Sequence, residues 1–128
     1  MKRWIWIALA LAACDRPASS PPPVSDFSGL WLIEETDPEC KHAFSRCYVD
    51  VAQSGDRATV KSWAEGREWT CEGRGTVTGN LLKFRWMAGV KGWRGWAELE
   101  MHGDEVKGTY QREDVTTGVQ YTRGKRVR

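Results

Sequence analysis

The chain has 128 residues, with 19 basic and 17 acidic side chains and a formal net charge of +2. That length suits one domain, and so small a charge excess excludes a nucleic-acid surface built on net basicity. No apolar run approaches the roughly 20 residues that a membrane-spanning helix requires.

Met1-Lys2-Arg3 is a short basic start, followed by the apolar stretch Trp4-Ile5-Trp6-Ile7-Ala8-Leu9-Ala10-Leu11-Ala12-Ala13. A basic start, a short apolar core and small residues before a cut site make a secretory signal, read here over residues 1–13. Leu11-Ala12-Ala13-Cys14 resembles the lipobox of bacterial lipoproteins, a Leu and two small residues before a Cys. The resemblance implies cleavage before Cys14 and a diacylglycerol on its thiol. One acyl chain holds a protein marginally and two hold it stably, so such a Cys is a durable anchor without a transmembrane helix. The implied place is the cell envelope, facing the periplasm. Asp15 resembles an inner-membrane retention signal, with the outer membrane as the alternative. Loss of residues 1–13 takes Lys2 and Arg3 away and leaves 17 basic against 17 acidic residues, a formal charge of zero. No nucleic-acid partner is expected, and a monomer is.

Residues 15–28 contain four prolines and four serines. Such a segment cannot bury enough surface to order itself and reads, together with Cys14, as a semi-extended tether over 14–28. The folded domain is expected over 29–128, with its first contacts near Phe27. Within it, short runs rich in Val, Thr, Trp and Tyr alternate with turn signals. Strands are expected at 29–36, 47–53, 57–63, 69–78, 81–87, 94–102, 105–112 and 118–123. Ser54-Gly55-Asp56, Gly79-Asn80 and Gly103-Asp104 carry hairpin chemistry, because these residues tolerate positive φ. A single helical turn is expected near 38–45.

Alternation assigns the faces. Cys47, Val49 and Val51 oppose Tyr48 and Asp50. Leu82, Phe84 and Trp86 oppose Lys83 and Arg85. Ala97, Leu99 and Met101 oppose Glu98 and Glu100, while Val106, Gly108 and Tyr110 oppose Lys107 and Thr109. Period two with one wet face is the mark of an antiparallel sheet. The fold class is therefore all-β. Eight hairpin-linked strands close naturally into a small up-and-down barrel, with a β-sandwich as the alternative. Inward Gly73, Gly75 and Gly108 would relieve crowding or mark bends.

Gly29-Leu30-Trp31 resembles the Gly-x-Trp opening of lipocalin-like (calycin) barrels. That resemblance implies a barrel whose last strand lays an Arg across the Trp, and Arg123 sits where such an Arg is expected. Membership would imply a fold and a cavity, not a ligand. Membrane-bound inhibitors of c-type lysozyme are also small lipoprotein barrels, but their Ser-Gly-x-x-Tyr motif does not occur here.

With Cys14 committed to lipid, Cys40, Cys47 and Cys71 remain. Export favours oxidation, and Cys40–Cys47 is the expected disulfide, with Cys71 the alternative partner. Cys40-x-His42-x4-Cys47 with Cys71 is also a zinc-compatible set, although that spacing is not a familiar knuckle, and no metal or cofactor is expected. No nucleophile elbow, phosphate loop or His-Glu-x-x-His occurs. The carboxylates Glu34, Glu35, Asp37 and Glu39 read as one solvated loop, and no enzyme activity or catalytic residue is expected. Of eight tryptophans, Trp4 and Trp6 fall in the leader and six remain. Trp31 and Trp86 suit a core. Trp63, Trp69, Trp93 and Trp96, with Arg94, are candidate contacts for a small apolar or saccharide ligand, or for an envelope protein. A cavity lined by Trp86, Met101 and Tyr110 would favour the small ligand. Exposed Trp93 and Trp96 on a filled barrel would favour the protein partner or inhibitor, and a structural envelope component is the third reading. The basic end (Arg123, Lys125, Arg126, Arg128) reads as a solvated tail, the sharper reading being contact with anionic headgroups.

Overall fold

A computed structural model describes residues 23–65, 70–89, 92–113 and 118–128. The leader, Cys14 and Trp69 lie outside them. The strands are β1 Gly29–Thr36, β2 Ala43–Ser54, β3 Arg57–Ala64, β4 Thr70–Thr78, β5 Leu81–Ala88, β6 Trp93–His102, β7 Glu105–Arg112 and β8 Gln120–Arg126. Each pairs antiparallel with the next, and β8 returns to β1 to close a barrel. Closure decides against the sandwich. It also leaves no strand edge open to pairing with another chain.

The two ends of the barrel differ. At one end β2–β3, β4–β5 and β6–β7 turn through two residues each, led by Gly55, Gly79 and Gly103 at φ of 61°, 59° and 63°. A positive φ at the first central residue and none at the second is the type II′ pattern, which matches strand twist. The longer connections, after β1, β3, β5 and β7, all lie at the other end.

The tight end is sealed from below by residues read in the sequence as tether. Phe27 is fully buried, and Val24 packs on the same cluster. Ser25 donates its N–H to the Gly79 carbonyl, and the Gln53 side chain accepts from Phe27 N and donates to the Ser25 carbonyl. Full burial of an aromatic ring stabilises by about 1.5–3 kcal/mol and, with these hydrogen bonds, works against the entropy cost of ordering the segment. The packed unit therefore begins by Val24.

Above Phe27 the inward residues stack in layers. Trp31, Val51, Ala58, Val77, Leu82 and Val106 are buried in one cluster with Phe27. Alternation predicts this inner face correctly on all of its tested strands. Gly75 and Gly108 mark close approaches between strands. A Cβ there would lie 1.9 Å from the Lys83 carbonyl oxygen and 1.8 Å from that of Glu98.

Two expectations change. No helical turn forms over 38–45. Asp37 instead organises the loop, its carboxylate accepting backbone N–H groups from Glu39, Lys41 and His42, and β2 starts early at Ala43. The basic end is not a solvated tail either. Arg123, Lys125 and Arg126 belong to β8, and residues 127–128 bond the backbone of Leu30.

Candidate functional site

The interior holds a cavity of about 130 Å3 toward the long-loop end. Its deeper wall is apolar, with Ile33, Val49, Val60, Phe84 and Leu99. Polar groups ring its upper part: Glu35, Cys47, Ser62, Cys71, Tyr110 and Thr122. A larger hollow of about 540 Å3 lies on the outer wall, bounded by Leu32, Lys107 and Arg123. Arg123 is already paired there with Glu34, so the interior cavity is the better-built site.

Strand pairing explains how it forms. Trp86 on β5 faces Gly95 on β6, where a Cβ would come within 2.7 Å of the indole. The glycine lets the ring lie flat against the wall. Trp86 meets Tyr110 edge to face, with centroids 6.5 Å apart at 65°. The Tyr110 hydroxyl donates a short hydrogen bond to Glu35 Oε1. Burial, and then Glu35, push the Tyr110 pKa well above the phenol range, so the hydroxyl stays a neutral donor. Thr122 Oγ1 is buried with no hydrogen-bond partner.

Glu35 is the site residue that sequence reading missed. Charge alone groups it with Glu34, Asp37 and Glu39 as one loop. β1 runs on to Thr36, so the alternation of Trp31 and Ile33 carries Glu35 inward and Glu34 outward. Glu34 takes Arg46 and Arg123 on the outer wall, at 3.4 Å and 3.1 Å. Extending the period-two pattern by two residues is the signal that finds it.

The Trp–Arg closure exists, but with a different arginine. The Arg126 guanidinium lies 4.4 Å from the Trp31 ring centroid and donates to the Ser28 and Asp26 carbonyls. Arg123 instead bonds Glu34 and the Cys40 carbonyl. Antiparallel pairing sets Trp31 opposite Arg126 and Glu34 opposite Arg123. Paired residues share a face, so Arg123 points outward.

Among the described residues no disulfide forms, and Cys40, Cys47 and Cys71 are free thiols. Cys40 sits in the loop at φ 57°, its sulfur 3.4 Å from Thr36 Oγ1, while Cys47 faces the cavity. Cys47 and Cys71 lie on β2 and β4 with β3 between them. Two interstrand spacings come to about 9–10 Å, beyond the roughly 7 Å that a disulfide tolerates between Cα atoms. Burial raises the Cys47 pKa, and burial chiefly, with Cys47 nearby, pushes that of Cys71 up to about 11. Among the described residues no group of three or more His, Cys, Asp or Glu is placed to hold a metal.

The other singled-out residues do not converge. Trp63 lies on the outer wall, stacked on Tyr48 with centroids 5.8 Å apart. Arg94 pairs with Glu113 at 3.8 Å. Trp96 is 41% exposed and faces outward beside Arg85 and Gln111. Trp93 has inward parity at the cavity rim, where Arg112 lies 4.4 Å over its ring. Met101 sits below the cavity, against Arg126.

No family model matches this chain, and no curated protein does. Two solved structures share its general shape. The crystal structure of secretory abundant heat soluble protein 4 from Ramazzottius varieornatus is 12% identical, with a TM-score of 0.47 over 81% of this chain and 100% of that one. A point mutant of the fluorescent protein UnaG is 15% identical, with a TM-score of 0.46 over 80% of this chain and 96% of that one. At such values the likeness carries no functional argument, and the barrel assignment stands on the strand pairing.

Proposed function

We propose that this chain is a lipid-anchored envelope protein whose barrel binds one small, largely apolar ligand without transforming it. The observation that carries the binding reading is the interior cavity, apolar below and polar-ringed above, in a barrel sealed at the opposite end. Ligand sites are concave, mostly apolar and fitted with a few placed polar groups. The cavity is small, comparable with an engineered one of about 150 Å3 that takes benzene. A single ring or a short chain fits, and a saccharide does not. The leader and Leu11-Ala12-Ala13-Cys14 support the anchor.

Two measurements test this reading. Cys14→Ser should abolish acyl-chain incorporation and release the protein from membranes, and retention of both would sink the anchor. Titration with single-ring compounds should quench tryptophan fluorescence saturably, and the response should vanish on filling the cavity with Ala97→Leu. The ligand should be recovered unchanged.

A second reading is favoured by Trp96, exposed on the outer wall between Arg85 and Gln111. A protein partner docking there would lose affinity in Trp96→Ala, a change that leaves the cavity untouched.

A further inference from the structure

Resting on the cavity reading, we propose that the preferred ligand is a small organic ammonium ion, an amine on one ring or a short chain, held by Glu35 and the surrounding aromatic faces. The cavity carries one carboxylate and, among the described residues, no Lys, Arg or His lines it. Outside, Glu34 has drawn both neighbouring arginines, Arg46 and Arg123, to the outer wall. Arg112, two residues beyond Tyr110 on β7, is engaged over Trp93. Among the described residues the polar partner of Glu35 is the Tyr110 hydroxyl, and that hydroxyl brings no positive charge. The half-buried Glu35 carboxylate faces this largely apolar space with no cationic partner among the described residues. A ligand ammonium supplies one.

The neighbours fit the same guest. Trp86 and Tyr110 stand edge to face beside the carboxylate, and aromatic faces attract ammonium groups through the ring quadrupole. Thr122 pairs across the strands with Glu35, and its buried Oγ1 has no partner. It has spare hydrogen-bonding capacity on the strand next to the carboxylate. Anions such as carboxylates are disfavoured by Glu35 itself, while neutral rings bind by the apolar wall alone.

Benzylamine, benzyl alcohol and benzoate share a ring and differ at the head group. The test titrates each into the full-length chain in a non-ionic detergent at neutral pH, followed by tryptophan fluorescence and calorimetry. Benzylamine should bind at least about tenfold tighter than benzyl alcohol, the difference expected of a charge-assisted hydrogen bond, and benzoate weakest of all. Glu35→Gln, with folding checked by circular dichroism, should abolish the preference while benzyl alcohol binding changes little. Equal or tighter binding of the alcohol or the benzoate overturns the proposal and leaves the cavity reading standing. So does an amine preference that survives Glu35→Gln. If none of the three binds, both readings fall.

Discussion

Trp31 and Arg126 meet across the β1–β8 seam, and the contact joins three parts of the chain. The indole N–H donates to the Phe27 carbonyl at 2.8 Å, the guanidinium covers the ring, and Asp104 anchors the guanidinium at 3.0 Å. Arg126→Ala should therefore lower stability by about 1–3 kcal/mol in urea denaturation, through the lost ring contact and the carbonyls left unpaired. Arg123→Ala, which removes a half-exposed ion pair, should cost about 1 kcal/mol or less. Equal losses would contradict the assignment of closure to Arg126. Thr122→Val should be neutral or mildly stabilising, since it removes an orphaned hydroxyl rather than a bond. At this scale the sequence is legible wherever parity is applied to the end of a strand. Glu35 and Arg126 both follow from it, and both escape notice when charge alone assigns them to loop or tail. The unmade Cys40–Cys47 bridge escapes for another reason. Spacing along the chain does not reveal that one sulfur faces Thr36 and the other the cavity.

Turns and strands carry the next level. The three Gly-led hairpins are visible in the sequence because their chemistry is local, and all three form where they are expected. The loop after β1 is not, because a rigid non-helical loop depends on Asp37 reaching several N–H groups at once. Hydrogen bonds from the backbone of Lys41 first, then of His42 and Glu39, hold the Asp37 carboxyl below its ordinary 3.8. Such a group favours the folded loop above that value and loses its contribution as pH falls through the lower, folded pKa. Amide protection in residues 39–42, measured as exchange relative to the intrinsic rate at each pH, should fall on acidification before the barrel unfolds, and Asp37→Asn should weaken that response. Between strands, Gly108→Ala should destabilise by roughly 2 kcal/mol or more, because the added methyl meets a neighbouring carbonyl rather than a yielding side chain. A neutral result would show that the strands can separate there without loss.

For the whole molecule, the buried thiols and phenol make stability fall at high pH. Burial lifts Cys71 from 9.0 to about 11 and moves Cys47 and Tyr110 in the same direction. A raised folded pKa means that stabilisation is complete below the unfolded value and is lost as pH rises through the folded one. The denaturation midpoint should hold up to about pH 9 and decline toward pH 11, more shallowly in Cys71→Ala. At neutral pH the same thiols are poor nucleophiles, and alkylation of Cys71 should be slow until the barrel opens. The two unlike ends have a further meaning under the proposal that Cys14 carries a lipid. The N-terminal segment enters the barrel at its sealed end, where Ser25 bonds Gly79. A membrane approached from that end would leave the mouth of the barrel facing away from it. The barrel's cargo would be exchanged with the aqueous compartment rather than drawn from the bilayer beneath.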